Sequence, residues 1–351
     1  MIAADQRTGR PVLPCPPSTV EDFLSQPSDA VCDVLSRTTG PFLVLGAGGK
    51  IGLHLSMMLR RALDRLQRRD PVVAVSRFRT LRQCSDFEQH GVNVQSCDLD
   101  NPDDLARLPE AATVFFLAGA KFGTADSPDL LRQTNVEMPR RVAERFCRAR
   151  IVAFSTGCVY PFVPYHSGGA TEDTPPAPVG EYAASCLERE RVFTEHSRRQ
   201  GNPIALIRLN YSVEFRYGVL VDIAQKVFHG LPVDVTMGYV NVIWQSDAVR
   251  HTIQALDLAG APAVPINVTG PEVLSVRALA HRFGEMLGRP VQIIGQENET
   301  AWLSSAARAH RIFGRPAVTV EAMTSWISAW MLQGGQIWGK PTGYENREGR
   351  F

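Results

Sequence analysis

The 351 residues could form one large domain or two closely joined ones. With 37 basic and 36 acidic residues the net charge is +1, so the chain has no overall positive potential that would attract nucleic acid or an anionic membrane. No segment approaches the ~20 apolar residues of a membrane span, and no apolar run follows a basic head at the N-terminus. Seven scattered cysteines without a C-x-x-C pair predict a reducing, cytoplasmic location and no metal site.

Residues 1–40 are predicted to be an N-terminal extension with one short helix. Ser28 suits the N-cap of that helix and Gly40 suits its stop, so we expect the helix to pack beside the first strand.

From residue 41 the apolar pattern becomes regular. The runs FLVLG, VVAVS, VNVQS, TVFFLAG and IVAFST alternate with longer, helix-compatible stretches. Such short, uniformly apolar runs are typical of strands buried on both faces of a parallel sheet. We predict an α/β fold for residues 41–210, a Rossmann-type doubly wound parallel sheet. Residues 211–351 are predicted to form mainly a smaller substrate-binding lobe, with the run VPINVTG returning to the sheet.

A glycine loop follows the first apolar run. In FLVLGAGGKIG, Gly46, Gly49 and Gly52 stand at the head of a predicted helix, with Lys50 and Ile51 between them. Glycines let the backbone approach a pyrophosphate, and a helix N-terminus favours that anion. Because position 51 is isoleucine, the spacing is G-x-x-G-x-x-G and not G-x-G-x-x-G. This loop is predicted to bind a dinucleotide.

Four motifs occur together and in order: the glycine loop, LAGAK, FSTGCVYP and EYAAS. Over residues 41–330 the chain resembles the extended short-chain dehydrogenases/reductases of the NAD-dependent epimerase/dehydratase family. The resemblance implies a Rossmann domain, an NAD(P) cofactor, a carbohydrate-like substrate and a homodimer.

The end of the second strand bears on the choice of cofactor. An acidic residue there would bind the adenosine ribose and repel a 2′-phosphate, but the sequence has Ser76 followed by Arg77. This pair favours NADP over NAD. The alternative is that Arg77 is merely exposed beside a pocket that tolerates either cofactor.

The resemblance implies further cofactor contacts. Two of the chain's four lysines fall in cofactor motifs, at Lys50 and Lys121. The positions that match the family's adenine, phosphate, ribose and helix-positioning residues are Asp98, Leu99, Leu117, Ala118, Gly119, Lys121 and Asn135.

The catalytic group is implied in the same way. Tyr182 matches the family's acid/base tyrosine. Thr156 matches the residue whose hydroxyl takes part in the hydrogen bond of the proton that the tyrosine transfers. Where the family has a lysine that binds the nicotinamide ribose and lowers the tyrosine pKa, this sequence has Cys186. Three interpretations stay open. The chain could be an active enzyme in which the nicotinamide ring, Lys121 or an arginine supplies the positive charge of the missing lysine. It could also be a cofactor-binding protein without turnover, or Cys186 could be a reactive thiol.

The substrate side is expected beyond residue 210. Amides, an arginine and aromatic residues suit hydroxyl recognition and stacking on a sugar ring. The candidates are Asn210, Tyr211, Arg216, Asn241, Trp244 and Gln245. The sequence therefore predicts an oxidoreductase, epimerase or dehydratase acting on a hydroxyl-bearing carbon of a sugar, sugar acid or nucleotide sugar. The alternative function is a catalytically impaired NAD(P)-binding regulator or scaffold.

Overall fold

A computed structural model describes residues 11–121 and 127–349, without the side chains of residues 81 and 82. Its strands are β1 (Phe42–Leu45), β2 (Val72–Ser76), β3 (Asn93–Ser96), β4 (Thr113–Phe116), β5 (Arg150–Thr156), β6 (Val163–Pro164), β7 (Ile204–Leu209), β8 (Ser212–Val213), β9 (Val233–Asp234), β10 (Tyr239–Val240), β11 (Ile243–Trp244), β12 (Val264–Val268), β13 (Leu274–Ser275), β14 (Ile293–Ile294) and β15 (Thr300–Ala301).

The α-helices are α1 (Val20–Leu24), α2 (Asp29–Ser36), α3 (Gly52–Arg65), α4 (Leu81–Glu88), α5 (Pro102–Ala106), α6 (Pro128–Arg132), α7 (Met138–Arg145), α8 (Glu181–Gln200), α9 (Val219–Phe228), α10 (Gln245–Gln254), α11 (Val276–Leu287), α12 (Ala307–Phe313) and α13 (Val320–Leu332). A π-helical turn (Gln133–Glu137) joins α6 to α7.

The centre of the molecule is a seven-stranded sheet in the order β12-β7-β5-β4-β1-β2-β3. Every neighbouring pair is parallel, and β1 and β4 are buried along their whole length. The predicted doubly wound sheet is therefore confirmed. The order of strands reverses between β1 and β4, and ligands of such sheets bind at the carboxyl ends of the strands at this point.

Helices cover both faces of the sheet. On one face Leu55 of α3 and Ile253 of α10 are buried in the same apolar core as Val44 of β1. On the other face Phe193 of α8 meets Phe116 of β4 edge-on, with ring centroids 5.4 Å apart. The helix that carries Tyr182 is thereby held against the strands that end at the predicted cofactor cleft.

A separate apolar core joins α9, α11 and α13, with Leu220, Phe283 and Ile327 fully buried in it. Helix α1 packs into this core through Val20 and Leu24. Helix α2 lies instead against α3, and the Ser28 hydroxyl caps it by accepting a hydrogen bond from the Val31 amide at 3.3 Å. The two short helices of the N-terminal segment therefore pack against different cores.

Two observations concern membranes and metals. Among the residues described, no helix combines the length and apolarity needed to cross a bilayer. Nor do the described ranges contain three His, Cys, Asp or Glu side chains grouped so that they could hold a metal ion.

Candidate functional site

The glycine loop makes a tight turn between β1 and α3. Gly46 has φ +82°, and a Cβ there would lie 2.5 Å from the Ala118 amide nitrogen. A Cβ on Gly52, the first residue of α3, would lie 2.1 Å from the Ala47 carbonyl oxygen. Gly49 between them is exposed, and the nearest atom to a Cβ there is 3.4 Å away. The loop backbone is thus open to a ligand beside the helix N-terminus, which fits a dinucleotide pyrophosphate.

A cavity of about 260 Å³ opens beside this loop. It gathers side chains from both halves of the sheet and from the segment that follows β7. Of the residues predicted from the sequence, it is lined by Lys50, Ile51, Leu117, Gly119, Lys121, Thr156, Tyr182, Asn210, Tyr211 and Gln245.

Thr156 and Tyr182 enter the cavity from different elements. Thr156 is the last residue of β5, is buried, and accepts a hydrogen bond from the Cys158 amide at 3.2 Å. Tyr182 lies in the first turn of α8, which begins after Gly180 at φ +84°. Both residues therefore sit where a strand end and a helix start converge on the cleft.

The surroundings of Tyr182 keep its phenol protonated at neutral pH. Burial raises its pKa well above 10, and the nearby Cys186 and Cys158 raise it further, whereas Arg189 lowers it. Cys186 is fully buried, and burial also raises the pKa of its thiol. A buried neutral thiol is a poor nucleophile, which speaks against the reactive-thiol interpretation.

Asn135 connects the Tyr182 helix to the loop after β4. It is fully buried, accepts from the Ala120 amide at 3.0 Å and donates to the Ala120 carbonyl at 2.9 Å. It also donates to the Ser185 hydroxyl at 2.9 Å, and that hydroxyl donates to the Tyr182 carbonyl at 2.8 Å. Asn135 thus positions the loop that contains Lys121 against the start of α8.

An ion pair joins α8 to β7 beneath the cavity. Arg208 donates to both carboxylate oxygens of Glu190, at 3.0 and 2.7 Å, and to the Tyr160 hydroxyl at 2.7 Å. The Ser155 hydroxyl donates to Glu190 at 2.6 Å, and the Tyr160 hydroxyl donates to Asn267 at 2.8 Å. The residue before Thr156 is therefore tied to the helix that carries Tyr182.

Three of the chain's four lysines influence the same region. The Lys50 ammonium lies 3.1 Å from the centroid of the Tyr217 ring. Burial lowers the Lys50 pKa to about 7, with further lowering from Lys121 and Lys340. Burial also lowers the Lys121 pKa, and its Nζ lies 5.6 Å from the Tyr182 ring centroid. Two partly buried cations at one cavity, one of which lowers the pKa of the other, suit an anionic ligand.

The other predicted cofactor residues lie outside the cavity lining. Ser76 ends β2, with its Oγ 2.7 Å from the place of a Cβ on Gly48, and Arg77 is exposed after it. Asp98 and Leu99 follow β3, where Leu99 is buried in the sheet core.

The predicted substrate residues divide into three groups: those at or directly behind the wall of the cavity, one in an apolar core, and one at a second cavity. Asn210 donates to Asn241 at 2.7 Å, which places Asn241 directly behind the cavity wall. Trp244 is fully buried in the core that contains α9. Arg216 pairs with Glu214 and Glu21 and lines a second cavity, of about 440 Å³, that shares Lys50 with the first.

Several lining residues carry no motif that the sequence analysis used. They come from the segment that follows β7 and from the C-terminal segment: Ser212, Tyr217, Val219 and Thr342. Arg189 also lines the cavity, and its position seven residues after Tyr182 places it two helical turns further along α8. That spacing was the one available signal.

The model of the NAD dependent epimerase/dehydratase family matches residues 42–236, more than half of the chain. The chain belongs to this family. Within it, the glycine loop, Thr156 and Tyr182 all fall inside the matched region. No curated protein has a significantly matching sequence.

Solved structures of similar fold confirm the architecture. The UDP-glucuronic acid 4-epimerase from Bacillus cereus in complex with NAD is 19% identical, with TM-score 0.69 over 83% of this chain and 98% of the other. The UDP-glucose 4-epimerase from Thermus thermophilus, in complex with NAD, is 19% identical, with TM-score 0.67 over 84% and 99%. The dTDP-glucose 4,6-dehydratase from Streptomyces venezuelae, with NAD bound, is 20% identical, with TM-score 0.69 over 83% and 97%.

Proposed function

We propose that this epimerase/dehydratase family member is an NAD(P)-dependent enzyme acting on a hydroxyl-bearing carbon of a nucleotide sugar. The observation that carries the proposal is the convergence of the glycine loop, Thr156 and Tyr182 on one cavity. The similar structures support the substrate class, since their names specify UDP- and dTDP-linked sugars. Epimerisation, dehydration and dehydrogenation all use this arrangement.

A bound nicotinamide supplies the hydride chemistry. The protein's own part is the proton: the Tyr182 phenol gives a proton to a substrate oxygen or takes one from a substrate hydroxyl, and Thr156 orients that oxygen. Because burial holds the Tyr182 pKa well above 10, donation is the easier direction. Acceptance requires a cation nearby to stabilise the tyrosinate.

The residues that would hold the cofactor follow from the geometry. The backbone around Gly49 and the N-terminus of α3 suit the pyrophosphate, and Lys50 and Lys121 supply positive charge. The expectation of NADP has no support in the similar structures, which hold NAD. We therefore propose a dinucleotide of the NAD(P) type. If Arg77 binds a 2′-phosphate, Arg77→Ala weakens NADP⁺ binding more than NAD⁺ binding, and otherwise both change equally.

The first test identifies the cofactor and the need for Tyr182. The purified chain is denatured, any released nicotinamide dinucleotide is quantified by mass spectrometry, and conversion of UDP-glucose, UDP-glucuronic acid and dTDP-glucose is followed by chromatography. Tyr182→Phe should retain the cofactor and lose at least ~100-fold in turnover. The matched control is Tyr165→Phe, since Tyr165 is 39% exposed and stacks on Tyr239 away from the cavity lining.

A chain that binds the dinucleotide and converts none of these sugars would favour the regulator or scaffold instead. A homodimer is part of the same proposal, and light scattering of the purified protein measures it directly. A monomeric mass at micromolar concentration would contradict that part alone.

A further inference from the structure

Arg189 is a buried cation in an unusual setting. It is 6% exposed on α8 and lines the cavity that contains Tyr182. Its guanidinium donates to the Asn135 amide oxygen at 2.5 Å and to the Phe154 carbonyl at 3.1 Å. Both acceptors are neutral, and its Nε has no hydrogen-bond partner among the described residues.

The buried acidic residue next to Arg189 on the same helix, Glu190, is already occupied. Glu190 accepts hydrogen bonds from Arg208 and Ser155. Within residues 11–121 and 127–349, Arg189 forms no ion pair with a carboxylate. Removing a charge from water without a counter-charge is energetically unfavourable, so buried charges are ordinarily paired. The position is thus expensive unless an anion forms nearby.

The side chain at position 186 lies beside Arg189 on α8. Residues 186 and 189 are one helical turn apart and share a face of α8, and side chains on a helix lean toward its N-terminus. Cys186 is short and fully buried, and the lean of helical side chains directs the longer Arg189 side chain back toward Tyr182. The electrostatic influence of Arg189 on both the Tyr182 phenol and the Cys186 thiol is consistent with this direction.

We propose that Arg189 is the cation that stabilises the tyrosinate form of Tyr182, in the place where this family has a lysine at position 186. The proposal rests on the proposed function, because it takes Tyr182 as the proton-transfer group. Arg189 is a positioning residue in this scheme: it acts through Tyr182, and Asn135 holds its guanidinium in place. No new bond is made or broken.

The groups that face the Tyr182 phenol come from three elements. Cys186 and Arg189 lie on its own helix, Cys158 lies in the turn after β5, and Lys121 lies in the loop after β4. Lys121 is the competing source of positive charge. Burial lowers its pKa, however, whereas a guanidinium stays charged at every pH at which a protein folds. The test must therefore separate Arg189 from Lys121.

The experiment titrates position 182 directly. The full-length chain is prepared with 3,5-difluorotyrosine at position 182, whose phenol is more acidic than that of tyrosine, and ¹⁹F NMR follows its ionisation with and without NAD⁺. Arg189→Gln should raise the pKa of this group by about one unit or more. Arg189→Lys keeps a cation and should stay near the parent value. Lys121→Gln should shift the pKa less than Arg189→Gln does.

A cation swap separates electrostatics from structure. In Cys186→Lys/Arg189→Gln the positive charge moves to position 186, and the pKa should return toward the parent value even if the protein is less stable. If Arg189→Gln alone does not fold, Cys186→Lys compared with this double variant still measures the effect of removing the guanidinium.

An unchanged titration in Arg189→Gln, together with lower stability, would overturn the proposal and leave Arg189 a structural residue. A larger shift in Lys121→Gln would assign the field to Lys121 and would overturn it as well. Because the titration needs no turnover, it is independent of the substrate. A shifted titration in a chain that converts no nucleotide sugar would uphold the role of Arg189 and refute the proposed function.

Discussion

The Glu190–Arg208 ion pair should be the most sensitive electrostatic contact near the site. Both side chains are almost fully buried, at 5% and 6% exposure, and they form a bidentate pair. Glu190→Gln preserves the shape of the side chain and removes its charge, so Arg208 is left buried with neutral partners. Breaking a buried pair from one side costs about 3–5 kcal/mol. We expect a loss of about 3 kcal/mol in the free energy of unfolding, since the glutamine oxygen still accepts one hydrogen bond.

A matched control lies two residues earlier on the same helix. Glu188 pairs with Arg191, but these side chains are 48% and 65% exposed. Glu188→Gln removes the same charge from α8 in solvent and should change stability by less than about 1 kcal/mol. The two variants thus differ in burial and not in chemistry.

Urea unfolding monitored by circular dichroism and tryptophan fluorescence measures both variants. Arg208→Met in the Glu190→Gln background should recover part of the loss, because the unpaired charge is then gone. Equal destabilisation by Glu190→Gln and Glu188→Gln would refute the reasoning, and so would a double variant less stable than Glu190→Gln alone. The buried variant should also reduce turnover, since the charged acceptor of Ser155, next to Thr156, becomes a neutral amide.

Three further predictions concern the loop, a lysine and the C-terminal segment. Gly46→Ala should destabilise the fold and weaken NAD⁺ binding more than Gly201→Ala does. Both glycines have positive φ, but only at position 46 would the added Cβ lie as close as 2.5 Å to a backbone atom. Calorimetry measures both the stability and the binding. The Lys50 pKa of about 7 lies below its ordinary 10.5, so between pH 7 and pH 10.5 the unfolded chain binds more protons than the folded one. The free energy of unfolding should therefore rise with pH in this range. Urea titrations should show a smaller rise in Lys50→Met. Thr342→Val removes a 2.6 Å hydrogen bond to buried Asp222 and should speed amide hydrogen exchange in residues 336–349, and an unchanged exchange rate would contradict this.

Local patterns were enough to predict the sheet, the glycine loop and the placement of Thr156 and Tyr182. Each depends on residues close in the chain: short apolar runs make buried strands, and glycine at position 46 permits a turn that other residues resist. The strand ends of a parallel sheet then meet at one edge, which brings these motifs together without further information.

The rest depends on contacts between distant positions, which no local pattern encodes. Arg216 was predicted to bind substrate, yet it pairs with Glu21, 195 residues away, beside a different cavity. Trp244 was placed with it, but this side chain packs in the core around α9. Arg189 is one of many arginines in the sequence and gains its setting only when Asn135, 54 residues earlier, packs against α8. The sequence thus determined where the cofactor loop and the tyrosine lie, and tertiary packing decided which charges surround them.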